Sequence, residues 1–172
     1  MQRVLGRDRF PDVPGRFNEI LVKAIAPTTS LLGFKVSRAT ADVQTGAAVA
    51  IFTVSGGRIL LRQIIGEVTT AIGAGTTPDA KFQSNPTTGT TTDLCATASI
   101  ASDEVGTLYG ITGTRADAML ESSSGGLPTM NNNGLIIPVG GIEFIVDENV
   151  AGSIKFDAWY LPLDLGALMV AA

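Results

Sequence analysis

GSIKFDAWYLPLD, residues 152–164, decides the fold class. Read with a period of two, Ile154, Phe156, Ala158 and Tyr160 share one face, while Lys155, Asp157, Trp159 and Leu161 share the other. Such alternation marks a β-strand. Pro162 has no amide donor, so ladder pairing is expected to stop there. Just upstream, GIEFIVD (Gly141–Asp147) repeats the pattern with Ile142, Phe144 and Val146 on its apolar face. The short polar linker between the two segments predicts a hairpin, the closing pair of a sandwich. The only Trp and one of the two Tyr stand side by side at 159 and 160. A Trp159→Ala change is expected to cost about 3–5 kcal/mol if that ring is buried.

Working outward, VAIFTV (Val49–Val54) reads as a strand followed by the turn Ser55-Gly56-Gly57. Arg58–Ile72 is ambiguous, because Leu60, Leu61, Ile64, Ile65, Val68 and Ile72 also fit a helical stripe. Gly66 and the β-branched pair Thr69-Thr70 weaken a helix, so a long strand bent or bulged at Gly66 is expected. Further strands are predicted over Ala80–Ser84, Asp93–Ala101, Gly106–Thr112 and Leu135–Val139, with Ala116–Leu120 either a strand or one helical turn. Loops are expected at 73–79, at 85–92 and over the low-complexity stretch Glu121–Gly134. About eight short strands separated by turn residues is the pattern of an all-β sandwich, jelly roll or barrel. The expected fold is a β-sandwich of jelly-roll type over residues 35–172, preceded by an extended arm at 1–34.

The arm differs in composition from the rest of the chain. Arg3, Arg7, Asp8, Arg9, Asp12 and Arg16 gather charge in a segment broken by Pro11, Pro14 and Gly15. It is either a solvated tail or an arm that orders on a neighbouring subunit, and the second is expected. There Arg3, Arg7, Arg9 and Arg16 would meet carboxylates, with Phe10 and Phe17 as apolar anchors. At the other end, LGALMVAA (Leu165–Ala172) is apolar and uncharged. Left in water it would invite association, so Leu168, Met169 and Val170 are expected against the core or another subunit.

Of 172 residues, 45% are hydrophobic and only 16% charged, with mean hydropathy +0.30; an average soluble domain carries about 25% charge. Low charge points to apolar surface held for partners. A net charge of −4 argues against general nucleic-acid affinity, which needs clustered cations. No signal-peptide pattern is read near the N-terminus, and no apolar run suits a membrane-crossing helix. There is no histidine, which removes the commonest general base and metal ligand together. Cys95, the single cysteine, lies in the apolar run TDLCATASI and reads as a buried, inert thiol.

Candidate chemistry is thin. Glu143 and Asp147 flank one strand, and Asp157 and Asp164 lie on or just past the next; paired carboxylates can hydrolyse glycosides at the right separation. Solvated or turn-capping carboxylates are the plainer reading. Asp147, Glu148 and Asn149 offer oxygen ligands to Ca²⁺, but at no EF-hand spacing. Gly73–Gly75 precedes no helix and no Lys-Ser/Thr, so no phosphate loop is indicated. Arg58 and Arg62 share a strand face and could pair with Glu67 or with a partner's acids, with ordinary surface pairing the plainer reading. No enzyme, cofactor, metal site or small-molecule substrate is expected.

Three segments carry a resemblance: Val49–Ile72 with its FTV-GG strand-turn-strand, Thr92–Gly113 with DLCA, and Gly152–Ala172 with its W-Y-PLD-GA ending. Together they resemble virion structural proteins of tailed bacteriophages, over roughly Val36 to the C-terminus. The resemblance implies a head or tail component, most like a capsid decoration (cement) protein. Such a protein is small, β-rich, often a homotrimer and seated on the capsid surface. Its expected partners are the major capsid protein and itself. The alternative is a tail component: a tube, an adaptor or a carbohydrate-binding jelly roll.

Overall fold

A computed structural model describes residues 33–42, 46–123, 125–130 and 134–172. These contain twelve strands and no helix: β1 (Phe34–Asp42), β2 (Ala48–Ser55), β3 (Ile59–Thr70), β4 (Asp79–Pro86), β5 (Thr92–Asp93), β6 (Ala98–Ser99), β7 (Leu108–Gly110), β8 (Leu120–Ser122), β9 (Leu135–Ile137), β10 (Gly140–Val146), β11 (Ser153–Pro162) and β12 (Leu168–Ala171). The expected arm lies outside the described residues except for Gly33 and Phe34. Phe34 already pairs with Tyr160, so it belongs to the sheet.

The strands form two antiparallel sheets packed as a β-sandwich, one ordered β1-β11-β3-β7-β8 and the other β12-β2-β10-β4-β5. β9 joins the first by pairing with β3, and β6 the second by pairing with β4. First strands pair with last in a nested series: β1 with β11, β2 with β10, β3 with β7, β4 with β5. That nesting is one long antiparallel ribbon rolled over itself, the jelly-roll topology.

The alternation in residues 152–164 is realised in β11: Ile154, Phe156, Ala158 and Tyr160 are buried, while Lys155, Asp157 and Trp159 face outward. β11 ends at Pro162. The expected hairpin does not form. β10 and β11 lie in opposite sheets, and their apolar faces meet across the sandwich, with the Phe144 and Phe156 rings 5.3 Å apart. The linker between them is a crossing held to the β3–β4 connection. Gly73 donates to Ala151 (2.8 Å), Asp147 Oδ1 accepts from the Asp79 amide (2.7 Å), and Glu148 accepts from the amides of Thr76 and Thr77. Phe144 also meets Phe82 at 5.1 Å and Tyr109 at 6.2 Å, so four aromatic rings fill the middle of the core.

Several other expectations are corrected. Arg58–Ile72 is a strand, but β3 does not bulge at Gly66, which pairs in register with Phe156. The extra residues fall at Arg62 and Thr69, where the β11 partners step from Trp159 to Tyr160 and from Ser153 to Ile154. Gly66 leaves room for the Phe156 ring: a Cβ there would lie 3.1 Å from it, and the ring would have to give by a few tenths of an ångström. Asp93–Ala101 is not one strand. β5 and β6 both pair with β4, and between them Ala96 turns away to bridge Ala118. Within Glu121–Gly134, Glu121 and Ser122 belong to β8, and Met130 is buried with its amide donating to Gln63 (3.0 Å).

Candidate interaction surface

The two segments FTV-SGG and PLDLGA, distant in the chain, meet at one end of the sandwich. Gly56 has φ +72°, and a Cβ on it would stand 2.1 Å from the Gly166 carbonyl oxygen. Gly57 likewise leaves room for Asp164. The Asp164 carboxylate accepts three hydrogen bonds from Arg58: from the amide (2.8 Å), from Nε (2.9 Å) and from the terminal guanidinium nitrogen (2.8 Å). Arg58 returns its carbonyl to the Leu163 amide at 3.0 Å. This two-pronged contact replaces the expected pairing of Arg58 with Glu67, which instead meets Lys155 at 2.8 Å. The bonds from Arg58 hold the Asp164 carboxyl well below the usual carboxylate range. A lowered carboxyl pKa contributes stability above the unfolded pKa and loses it as pH falls through the folded one.

The clasp lays β12 along β2, with Leu168 opposite Ser55 and Val170 opposite Thr53. Of the three residues expected here, Met169 points into the core, while Leu168 (48% exposed) and Val170 (43%) face solvent. Leu161, Leu163 and the wholly exposed Leu165 precede them, and Phe34 sits beside Tyr160 of β11 with rings 5.8 Å apart. An exposed apolar strip thus runs around this end of the sandwich. Arg3, Arg7, Arg9, Phe10, Arg16 and Phe17 lie outside the described residues.

Trp159 is on the outer face of β11, partly covered, with Lys35 Nζ 5.2 Å from the ring centre. Its replacement by Ala therefore loses a half-buried contact and a surface cation–π pair, not a core ring. We expect about 1 kcal/mol from thermal unfolding, below the cost of a core aromatic. A loss above that of Phe144→Ala would contradict this placement.

The carboxylates are spent on local structure. Glu143 accepts from Gln83 and Asn85 on the outer face of one sheet, and Asp157 pairs with Lys35 (3.0 Å) and Ser37 on the other. They do not form a facing pair. Asp147 and Glu148 cap backbone amides, and no group of three His, Cys, Asp or Glu among the described residues could hold a metal ion. Unforeseen from sequence is the Tyr109 hydroxyl, which donates to Asp103 at 2.5 Å. Burial and then the Asp103 charge raise the Glu121 pKa nearby. A cavity of about 220 Å³ opens between β9 and β4–β5, lined by Ser84, Thr92, Leu94, Arg115 and Ile137 among others. Cys95 is fully buried, and desolvation pushes its thiol up to about 11. Iodoacetamide at pH 8 is expected to leave it unmodified until denaturant is added; rapid labelling of the native chain would show it accessible.

No protein-family model, no curated protein and no solved structure matches this chain.

Proposed function

We propose that this chain is a non-enzymatic virion structural protein of a tailed bacteriophage, one that decorates the capsid surface and stabilises it by bridging capsid subunits. The observation that carries the reading is the apolar strip from Leu161 to Val170, exposed on a domain with only 16% charged residues. Apolar patches of this kind mark protein contacts. Two of the three phage-like segments meet at the base of that strip, through Gly56, Arg58, Asp164 and Gly166. Binding to assembled capsid and not to dissociated subunits stabilises the assembly by mass action.

The outward Trp159, beside a groove lined by Lys35, Ser37, Lys155 and Asp157, is what favours the second reading, a carbohydrate-binding tail component. Lys35 and Asp157 already pair with each other, as do Lys155 and Glu67, which leaves that groove less suited to a ligand than the strip is to a protein.

The test is co-sedimentation of the full chain with capsids that lack it. Saturable binding and greater heat tolerance of the capsids are expected. Failure to pellet with capsids, or pelleting only with tails, would overturn the reading.

A further inference from the structure

We infer that β12 is a self-pairing edge, through which two copies of this chain join their sheets about a two-fold axis at Val170. A free strand edge is a template for another strand, and proteins usually guard it with charge, proline, bulges or shortness. Among the described residues every other edge is guarded. β5, β6, β8 and β9 have two or three residues each. β1 is long, but it breaks register between Arg38 and Ala41. It also places Arg38 opposite the buried Phe156, so a cation occupies an inward position, its Nε buried without a hydrogen-bond partner. By contrast, residues 165–172 contain no charge and no proline, and β12 follows β2 without a register break.

The ladder determines which groups β12 offers. Ala172 donates to Ile51 at 3.1 Å, and antiparallel bonding alternates along a strand. Val170 therefore turns its amide and carbonyl towards Thr53 of β2, and Met169 and Ala171 turn theirs outward. An antiparallel copy centred on Val170 pairs Met169 with the other Ala171, and Ala171 with the other Met169. Both outward amides and both outward carbonyls of each copy are then satisfied. The two Val170 side chains face one another at the closer, non-hydrogen-bonded spacing.

Leu168 and Val170 stand exposed on the outer face of this edge, so joining two copies along β12 covers both of them on each copy. A three-fold ring requires a different strand to receive β12, and the other edges are blunted; an edge that pairs with itself closes as a dimer. The inference rests on this strip being an interaction surface and not on capsid attachment, so failure here and failure in co-sedimentation are separate results.

The experiment is the solution mass of the full chain at micromolar concentration, by sedimentation velocity without capsids. Twice the chain mass is expected. Ala171→Pro removes an outward amide and leaves the bonds to β2, so it is expected to give single chains with an unchanged circular dichroism spectrum; Val170→Lys places like charges face to face and should do the same. In the unaltered chain, amide exchange at Met169 and Ala171 should slow at least tenfold from the dilute to the dimeric range, while Val170 stays protected throughout. A single-chain mass for the unaltered protein overturns the inference and leaves the edge to a strand of another protein. A three-chain mass, or a dimer that survives both substitutions, also overturns it.

Discussion

Phe144→Ala is expected to lower the stability of the β-sandwich by about 3–5 kcal/mol, the cost of emptying a buried aromatic site. Phe144 is fully enclosed and touches three other rings: Phe82 at 5.1 Å, Phe156 at 5.3 Å and Tyr109 at 6.2 Å. Phe82 is its neighbour in the same sheet, whereas Phe156 and Tyr109 belong to the opposite one. Removing the ring therefore opens a cavity between the sheets as well as weakening one strand pair, and neighbouring rings collapse into it only in part. The melting temperature should fall by roughly 10 °C or more for a domain of this size. A change of a degree or two would mean that β10 does not face β11 across the core.

Gly56→Ala is expected to be nearly as damaging, although it adds a single methyl at the surface. The φ of +72° alone makes an L-residue strained by about 1–2 kcal/mol. The added Cβ also meets the Gly166 carbonyl oxygen at 2.1 Å, and a backbone atom cannot move aside as a side chain can. The connection from Asp164 to Ala167 must shift, which pulls on the Arg58–Asp164 clasp and on the start of β12. Two readouts are expected: a melting temperature lowered by several degrees, and faster amide exchange at Val170 and Ala172, which face β2. Unchanged exchange at those amides would show that the turn and the C-terminal strand are independent.

What could be read in the sequence was local. The period-two burial of residues 154–160 needs only neighbouring residues, and it holds residue by residue in β11. The Gly-Gly turn after Val54 and the strand stop at Pro162 rest on backbone chemistry of the same short range. Partners were not legible. A short polar linker between two alternating segments suits a hairpin, yet in a rolled ribbon it crosses between sheets, because β10 had already paired with β2 and β4. Gly66 looked like a bend, whereas its lack of a side chain serves the Phe156 ring on the next strand. Trp159 looked like core by size, but its parity with Lys155 and Asp157 sets it on the outer face. For the candidate surface, apolar content drew attention to Leu168–Val170; that Met169 points inward, and that β12 is the edge strand of its sheet, emerge only from its pairing with β2.

The proposal that this chain decorates a capsid is tested most directly by averaged electron images of intact phage particles assembled with a labelled copy of it. The account predicts label at regular positions on the outer face of the capsid lattice, and bare lattice at those positions in particles made without the chain. Label confined to the tail, or particles assembled with the labelled chain that carry it at no position on the lattice, would contradict that claim.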